Sequence, residues 1–318
     1  MSETPWAWDK TGSVDKELEH WENELARFRY QPARSRYKNR RWLVAAAVLL
    51  LAVGTAWSVY WSRICALSEI AGDVLLNGAP ARAGQRLRPG DRLVTQAKAG
   101  AAIRLGAHGS ILVSERSALI LVKDSGRRRT IRIDYGAIQA SVSAPPYAFT
   151  VETAASVAHD MGCAYQITTN AEGAGSLRVT EGWVRLLSQG VESLVIEGSE
   201  AELRTPSGPG VPITQNAPRS IRILADRMTS GLATTDALLD SALAEAQASD
   251  AITLLNLLWR APEHERSLIY RRLAELKAPP EKVSWDRFRK KDWTAVAEWW
   301  PNLGFRKTVK LPSRFYAN

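Results

Sequence analysis

Apolar and polar positions change rhythm several times along this chain. Near the start, Val14, Leu18, Trp21, Leu25 and Phe28 recur at intervals of four, three, four and three residues, the stripe of an amphipathic helix. Asp15, Glu17, Glu19, Glu22 and Glu24 fill other positions of the same helix. From Trp42 to Ser62 the alternation stops, and 21 consecutive residues carry no charge. A helix of that length rises roughly 31 Å, about one hydrocarbon core, so the run predicts a transmembrane helix. From about Glu69 to Leu203 the period becomes two, in short stretches broken by glycine. Ala102–Leu105, Ala118–Val122, Ile138–Val142 and Trp183–Leu187 read as half-buried strands. A Pro/Gly-rich segment, Thr205–Pro212, follows, and then helical periods return. Thr235-Asp236 predicts a cap for a helix over 237–247, and Ser249-Asp250 one for 251–260. Pro262 opens a helix over 263–277, and Trp293, Val296 and Trp300 share one face of a last helix.

These rhythms predict five parts. They are a stub over 1–41 with an amphipathic helix, a transmembrane helix over 42–62, a β-domain over 63–204, a linker over 205–216, and a small helical region over 217–318. Arg34, Arg36, Lys38, Arg40 and Arg41 precede the uncharged run without an acid among them, whereas only Arg63 follows before Arg82. The positive-inside rule then puts the N-terminus in the cytoplasm and the remaining domains outside. The expected fold class is a single-pass membrane protein with an exported all-β domain and an α-helical C-terminal region.

Within the β-region, Gly72-Asp73-Val74-Leu75 is echoed by Gly90-Asp91-Arg92-Leu93. A second pattern links Ile133, Gly136 and Ile138 with Val179, Gly182 and Val184. In each copy a strand ends, turns at glycine and restarts, which suggests a β-solenoid or a jelly-roll-like barrel. An ordinary β-sandwich is the alternative reading.

Composition narrows the function. The net charge of +9 is spread along the chain, so no segment has the concentrated basic face that nucleic acid requires. Cys65 and Cys163 both follow the uncharged run, and the sequence leaves their pairing open. His20, His108, His159 and His264 are too scattered for a metal-ligand set. No nucleophile elbow, P-loop or dinucleotide turn occurs. Asp73 and Asp91 sit in Gly-Asp turns, where a carboxylate serves backbone donors. The chain therefore reads as a non-enzyme without cofactor or metal. The stub lacks the chain length to bury its own stripe, so Val14, Leu18, Trp21, Leu25 and Phe28 are expected to dock a partner.

The β-region resembles the FecR-type transmembrane regulators. The resemblance rests on Gly84-x-x-Leu87-x-x-Gly90-Asp91-x-Leu93-x-Thr95, then Ala102–Leu105 with Gly109-Ser110, then Gly136-Ala137-Ile138. It continues through Phe149-Thr150-Val151-Glu152-Thr153, Gly162-Cys163-Ala164-Tyr165 and Val179-Thr180-Glu181-Gly182-Trp183-Val184, over about residues 68–203. The Trp6-Ala7-Trp8-Asp9 start and the late Trp299-Trp300 pair resemble an acidobacterial-type subgroup. The resemblance implies a bacterial inner-membrane signalling protein. Its periplasmic β-domain would meet a protein or envelope ligand, and its stub would hold a regulator such as an extracytoplasmic-function sigma factor. A membrane-anchored scaffold that binds envelope components is the alternative.

Overall fold

The computed structural model describes residues 16–28, 40–61, 65–125, 128–290 and 292–304, with side chains described in all of these except 18, 40–43, 56–61 and 293. The chain forms two compact units, Met1–Ser58 and Val59–Asn318. The first holds α1 (Lys16–Ala26) and most of α2 (Arg40–Trp61). Glu17 and Glu19 sit in the first turn of α1, where carboxylates oppose the positive end of the helix dipole.

The uncharged run lies almost wholly in α2, yet no helix among the described residues is long and apolar enough to cross a membrane. This corrects the single-pass reading, and with it the inner-membrane placement and the cytoplasmic and periplasmic split built on it.

In the second unit, two ladders of strands share one long strand. The first runs β1 (Cys65–Ala71), β5 (Gly100–Leu105), β6 (Gly109–Val113), β8 (Arg129–Val142), β11 (Ala164–Thr169), β12 (Gly175–Glu181) and β15 (Ser199–Arg204). Short β16 (Gly208–Pro209) and β17 (Ile213–Thr214) pair with its last strand. The second runs β3 (Ala79–Pro80), β2 (Val74–Leu76), β4 (Arg92–Thr95), β7 (Ser117–Asp124) and the N-terminal half of β8. It continues through β9 (Phe149–Glu152), β10 (Val157–Asp160), β13 (Trp183–Ser188) and β14 (Val191–Ile196). One apolar core, from Cys65 and Leu67 through Ile103, Ile131, Ile138 and Tyr165 to Leu203, takes side chains from both ladders.

The sheet is open and does not close on itself: β1 and β3 end the ladders on one side, and β14 and the β16–β17 pair on the other. Among the described strands only β8 and β9 pair in parallel. A solenoid stacks parallel strands coil on coil and a barrel leaves no edges, so the expected β-solenoid or jelly-roll is corrected to an open, antiparallel arrangement.

The helices belong to the same unit and make the fold mixed α and β. They are α3 (Arg219–Thr229), α4 (Asp236–Glu245), α5 (Ala251–Arg260), α6 (Glu263–Leu276), α7 (Trp285–Arg289) and α8 (Trp293–Trp299). Thr235 caps α4 by accepting from the Leu238 amide. Their core takes in Met161, Trp183 and Leu194 from the strand layer. Asn256 of α5 is fully buried and reads the edge strand β14 as a further strand would. It accepts from the Leu194 amide at 2.9 Å and donates to the Leu194 carbonyl at 3.1 Å. The backbone N–H and C=O of Leu194, on an otherwise open β-edge, are thereby satisfied.

Candidate functional site

Three parts of the stripe can be placed. Trp21, Leu25 and Phe28 are 63, 61 and 82 % exposed. Val14 lies outside the described residues, and of Leu18 only the backbone is described, within α1. Trp21 and Leu25 are one helical turn apart, and Phe28 follows just beyond the helix end. Glu24 pairs with Arg27 beside them, and His20 lies edge-on to Trp21 at 6.5 Å. The face is apolar and bordered by carboxylates, which suits a partner groove with a greasy floor and a basic rim.

The motif residues of the β-region do conformational work. Gly84, Gly90, Gly136, Gly162 and Gly182 all have positive φ. Leu87 is buried in the core. Asp91 closes its turn by accepting from Asn77 Nδ2 at 2.8 Å and from the Arg88 amide at 2.7 Å. Thr95 is buried, donates to the Ser114 carbonyl at 2.6 Å and accepts from the Ser117 amide at 3.0 Å. Gly182 lies against Gly162 and Cys163: a Cβ there would come within 2.6 Å of the Gly162 carbonyl oxygen. The sequence separates these residues into independent motifs, and the structure brings 162, 163, 165 and 182 to one crossing between the ladders.

Asp160 sits at that crossing and was not singled out by its sequence. It is 1 % exposed, and its Oδ1 accepts from the Gly162 amide at 2.6 Å. Its pKa is pushed up to about 6, mainly by burial, with the Gly162 amide and the Cys163 thiol and amide opposing. Cys163 and Tyr165 beside it are pushed well above their ordinary values, chiefly by burial. Cys65 and Cys163 are both free and buried, and burial lifts Cys65 to about 12. Neither is poised as a nucleophile.

The raised Asp160 pKa makes stability depend on pH. Between its unfolded value near 4 and its folded value near 6, the folded state binds the extra proton. Stability is therefore greatest below about pH 4 with respect to this group, falls as pH rises, and levels off above about pH 6. The loss is about 3 kcal/mol. Asp160→Asn keeps an acceptor for the Gly162 amide and carries no charge. Urea titrations from pH 4 to 7 are expected to show the variant gaining on the native chain by about that amount. Parallel profiles for the two proteins would overturn the assignment.

Two clefts mark the second unit. One, of about 590 Å³, lies between β12, β15 and α3. Its arginines are engaged: Arg178 with Glu200 at 2.6 Å, Arg204 with Asp226 at 2.6 Å, and Arg222 with the carbonyls of Thr214, Gln215 and Ala217. The other, of about 410 Å³, lies between β14 and the ends of α3 and α5, with Arg266 and Phe288 on its wall. Arg260 lines it, a residue that sequence periodicity leaves unremarked. Asn256 does leave a signal, as the one polar residue inside the apolar run Leu254–Leu258. Among the described residues no cluster of three or more His, Cys, Asp or Glu could hold a metal ion.

Comparison with known proteins finds similarity over part of the chain. Residues 91–185 match the family described as FecR protein; the match covers less than a third of the chain. Two crystal structures of a candidate anti-sigma factor from Parabacteroides distasonis are similar to parts of this chain. One is 11 % identical with a TM-score of 0.35, covering 40 % of this chain and 60 % of that one. The other is 12 % identical with a TM-score of 0.30, covering 41 % and 59 %. The chain thus spans about three-fifths of the length of the structures it resembles. No curated protein matches it.

Proposed function

We propose that a chain with a FecR-like domain over residues 91–185 works as a non-enzymatic regulatory protein that holds a second protein on the apolar face of α1. The partner we assign is a sigma factor of the extracytoplasmic-function class, the class that the FecR resemblance implies. The observation that carries this reading is the exposure of Trp21, Leu25 and Phe28 on or beside a short acidic helix. A helix of eleven residues is marginal alone in water and gains order when its apolar face is covered. Each large apolar side chain taken out of water contributes roughly 1.5–3 kcal/mol, and an exposed Trp beside Leu and Phe has the composition of an interface anchor. Residues 59–318 then form the part that receives a signal. That signal regulates the partner only if it favours one of two states of the chain.

The test uses the full chain and its Trp21→Asp/Leu25→Asp variant. Each is titrated against purified extracytoplasmic-function sigma factors of the source organism. The native chain is expected to bind one of them and lower its transcription. The variant is expected to bind it about 100-fold or more weakly, the loss of two anchors. Equal binding by both proteins, or binding by neither, rejects the proposal.

A further inference from the structure

The smaller cleft combines an aromatic wall with two unmatched cations. Trp259 stacks on Phe288 with ring centroids 6.3 Å apart and planes 18° from parallel, and Met228 and Leu258 complete the apolar lining. Arg260 and Arg266 open onto the same space. Arg260 gives Nη2 to Ser193 Oγ and to the Pro209 carbonyl, each at 2.6 Å, and Arg266 gives Nη2 to the Ala261 carbonyl at 2.8 Å. Among the described residues neither meets a carboxylate, and the Nε of each has no hydrogen-bond partner. Glu192, the one acid lining the cleft, is already held through both oxygens by Arg185, at 2.5 and 3.2 Å. Burial lowers the Arg260 pKa to about 10 with no acid to offset it. A guanidinium withdrawn from water without a counter-charge is costly, and an arriving anion relieves that cost through charge-assisted hydrogen bonds.

We propose that this cleft binds a small organic monoanion: a carboxylate, held by Arg260 and Arg266, on a flat apolar body that packs against Trp259 and Phe288. The two oxygens of a carboxylate match the planar fork of a guanidinium. The volume falls in the range of small-molecule sites. The ligand class fits an effector of a regulatory protein, yet the site stands on residues remote in sequence from α1. Its test is therefore independent of the sigma-factor proposal.

Fluorine NMR of the full chain with 4-fluorophenylacetate and with 5-fluoroindole-3-acetate reads binding directly. Saturable line broadening is expected with at least one acid, and the corresponding neutral amide is expected to bind at least tenfold more weakly. Arg260→Gln and Arg266→Gln are each expected to weaken the acid at least tenfold, and Met228→Trp to fill the cleft and remove binding. Arg178→Gln, in the larger cleft, is expected to bind as the native chain does. Variants are compared only where they melt cooperatively. Should Arg260→Gln fail to fold, Arg266→Gln and Met228→Trp decide the matter. Absence of binding by both acids at millimolar concentration, equal binding of acid and amide, or native binding by the folded variants overturns the proposal.

Discussion

Gly136→Ala is expected to cost the chain about 4 kcal/mol or more, a large share of the stability of an ordinary domain. Gly136 stands where β8 passes from one ladder to the other: Tyr135 pairs with β7, and Gly136 pairs with β11. Its φ of +102° is strained for any side chain. Space adds a second penalty. A Cβ there would lie 2.2 Å from Ser117 Oγ and 2.4 Å from both Ser117 Cα and Cβ. Ser117 cannot retreat, because its Oγ accepts from the Ala137 amide at 3.0 Å and its own amide donates to Thr95 Oγ1. Gly190→Ala is the control. Its φ is +83° but nothing lies within 4 Å, so only the backbone term of about 1–2 kcal/mol remains. Denaturant titration of the three proteins checks this, and equal losses for the two variants would show that crowding at Ser117 contributes nothing.

Gly136 also shows what a sequence of this kind discloses and what it withholds. Of the recurring glycines, those at 72, 136 and 182 do mark places where strands end and restart, as does Gly198, whereas Gly90 turns within one ladder between β3 and β4. In the structure each of the first four is a passage between ladders: β1 to β2, within β8, β12 to β13, and β14 to β15. Local pattern specifies a positive φ, but the direction of the next strand and its partner are set by contacts distant in sequence. The repeats therefore suggest stacked parallel coils where the strands run antiparallel. The helix over 251–260 is legible from its apolar run. Its start is organised one turn earlier than Ser249-Asp250 suggests, by Gln247 and Asp250 exchanging bonds with each other's backbone. α3 escapes notice because it follows Pro218 directly and is rich in arginine. The uncharged run 42–62 conveys length and apolarity alone, and among the described residues no helix is long and apolar enough to cross a membrane. Arg260 and Arg266 read as solvated helix positions. Only tertiary packing turns them inward beside an aromatic wall. Asp160 is invisible for the same reason, since its unusual charge follows from burial and not from its neighbours in sequence.

Trp183→Ala is expected to cost about 3–5 kcal/mol and to loosen the helices before the strands. Trp183 is fully buried at the start of β13, immediately after the Gly182 passage, and its ring centroid lies 6.0 Å from that of Trp300. It belongs to the helical core although it grows from a strand, so its removal opens a cavity between the two layers. The second tie between the layers, Asn256 on the backbone of Leu194, is left intact by this substitution. Hydrogen exchange should then show the largest loss of protection in α5, α8 and β14, with the amides of β5, β6 and β8 changed least. Trp183→Phe separates packing from polarity. The indole Nε1 has no hydrogen-bond partner, so phenylalanine sacrifices no bond and should retain more than half of the lost stability. A uniform loss of protection across both layers would mean that strands and helices unfold as one cooperative element. Trp183 would then be a core residue of the whole unit and not the joint between its layers.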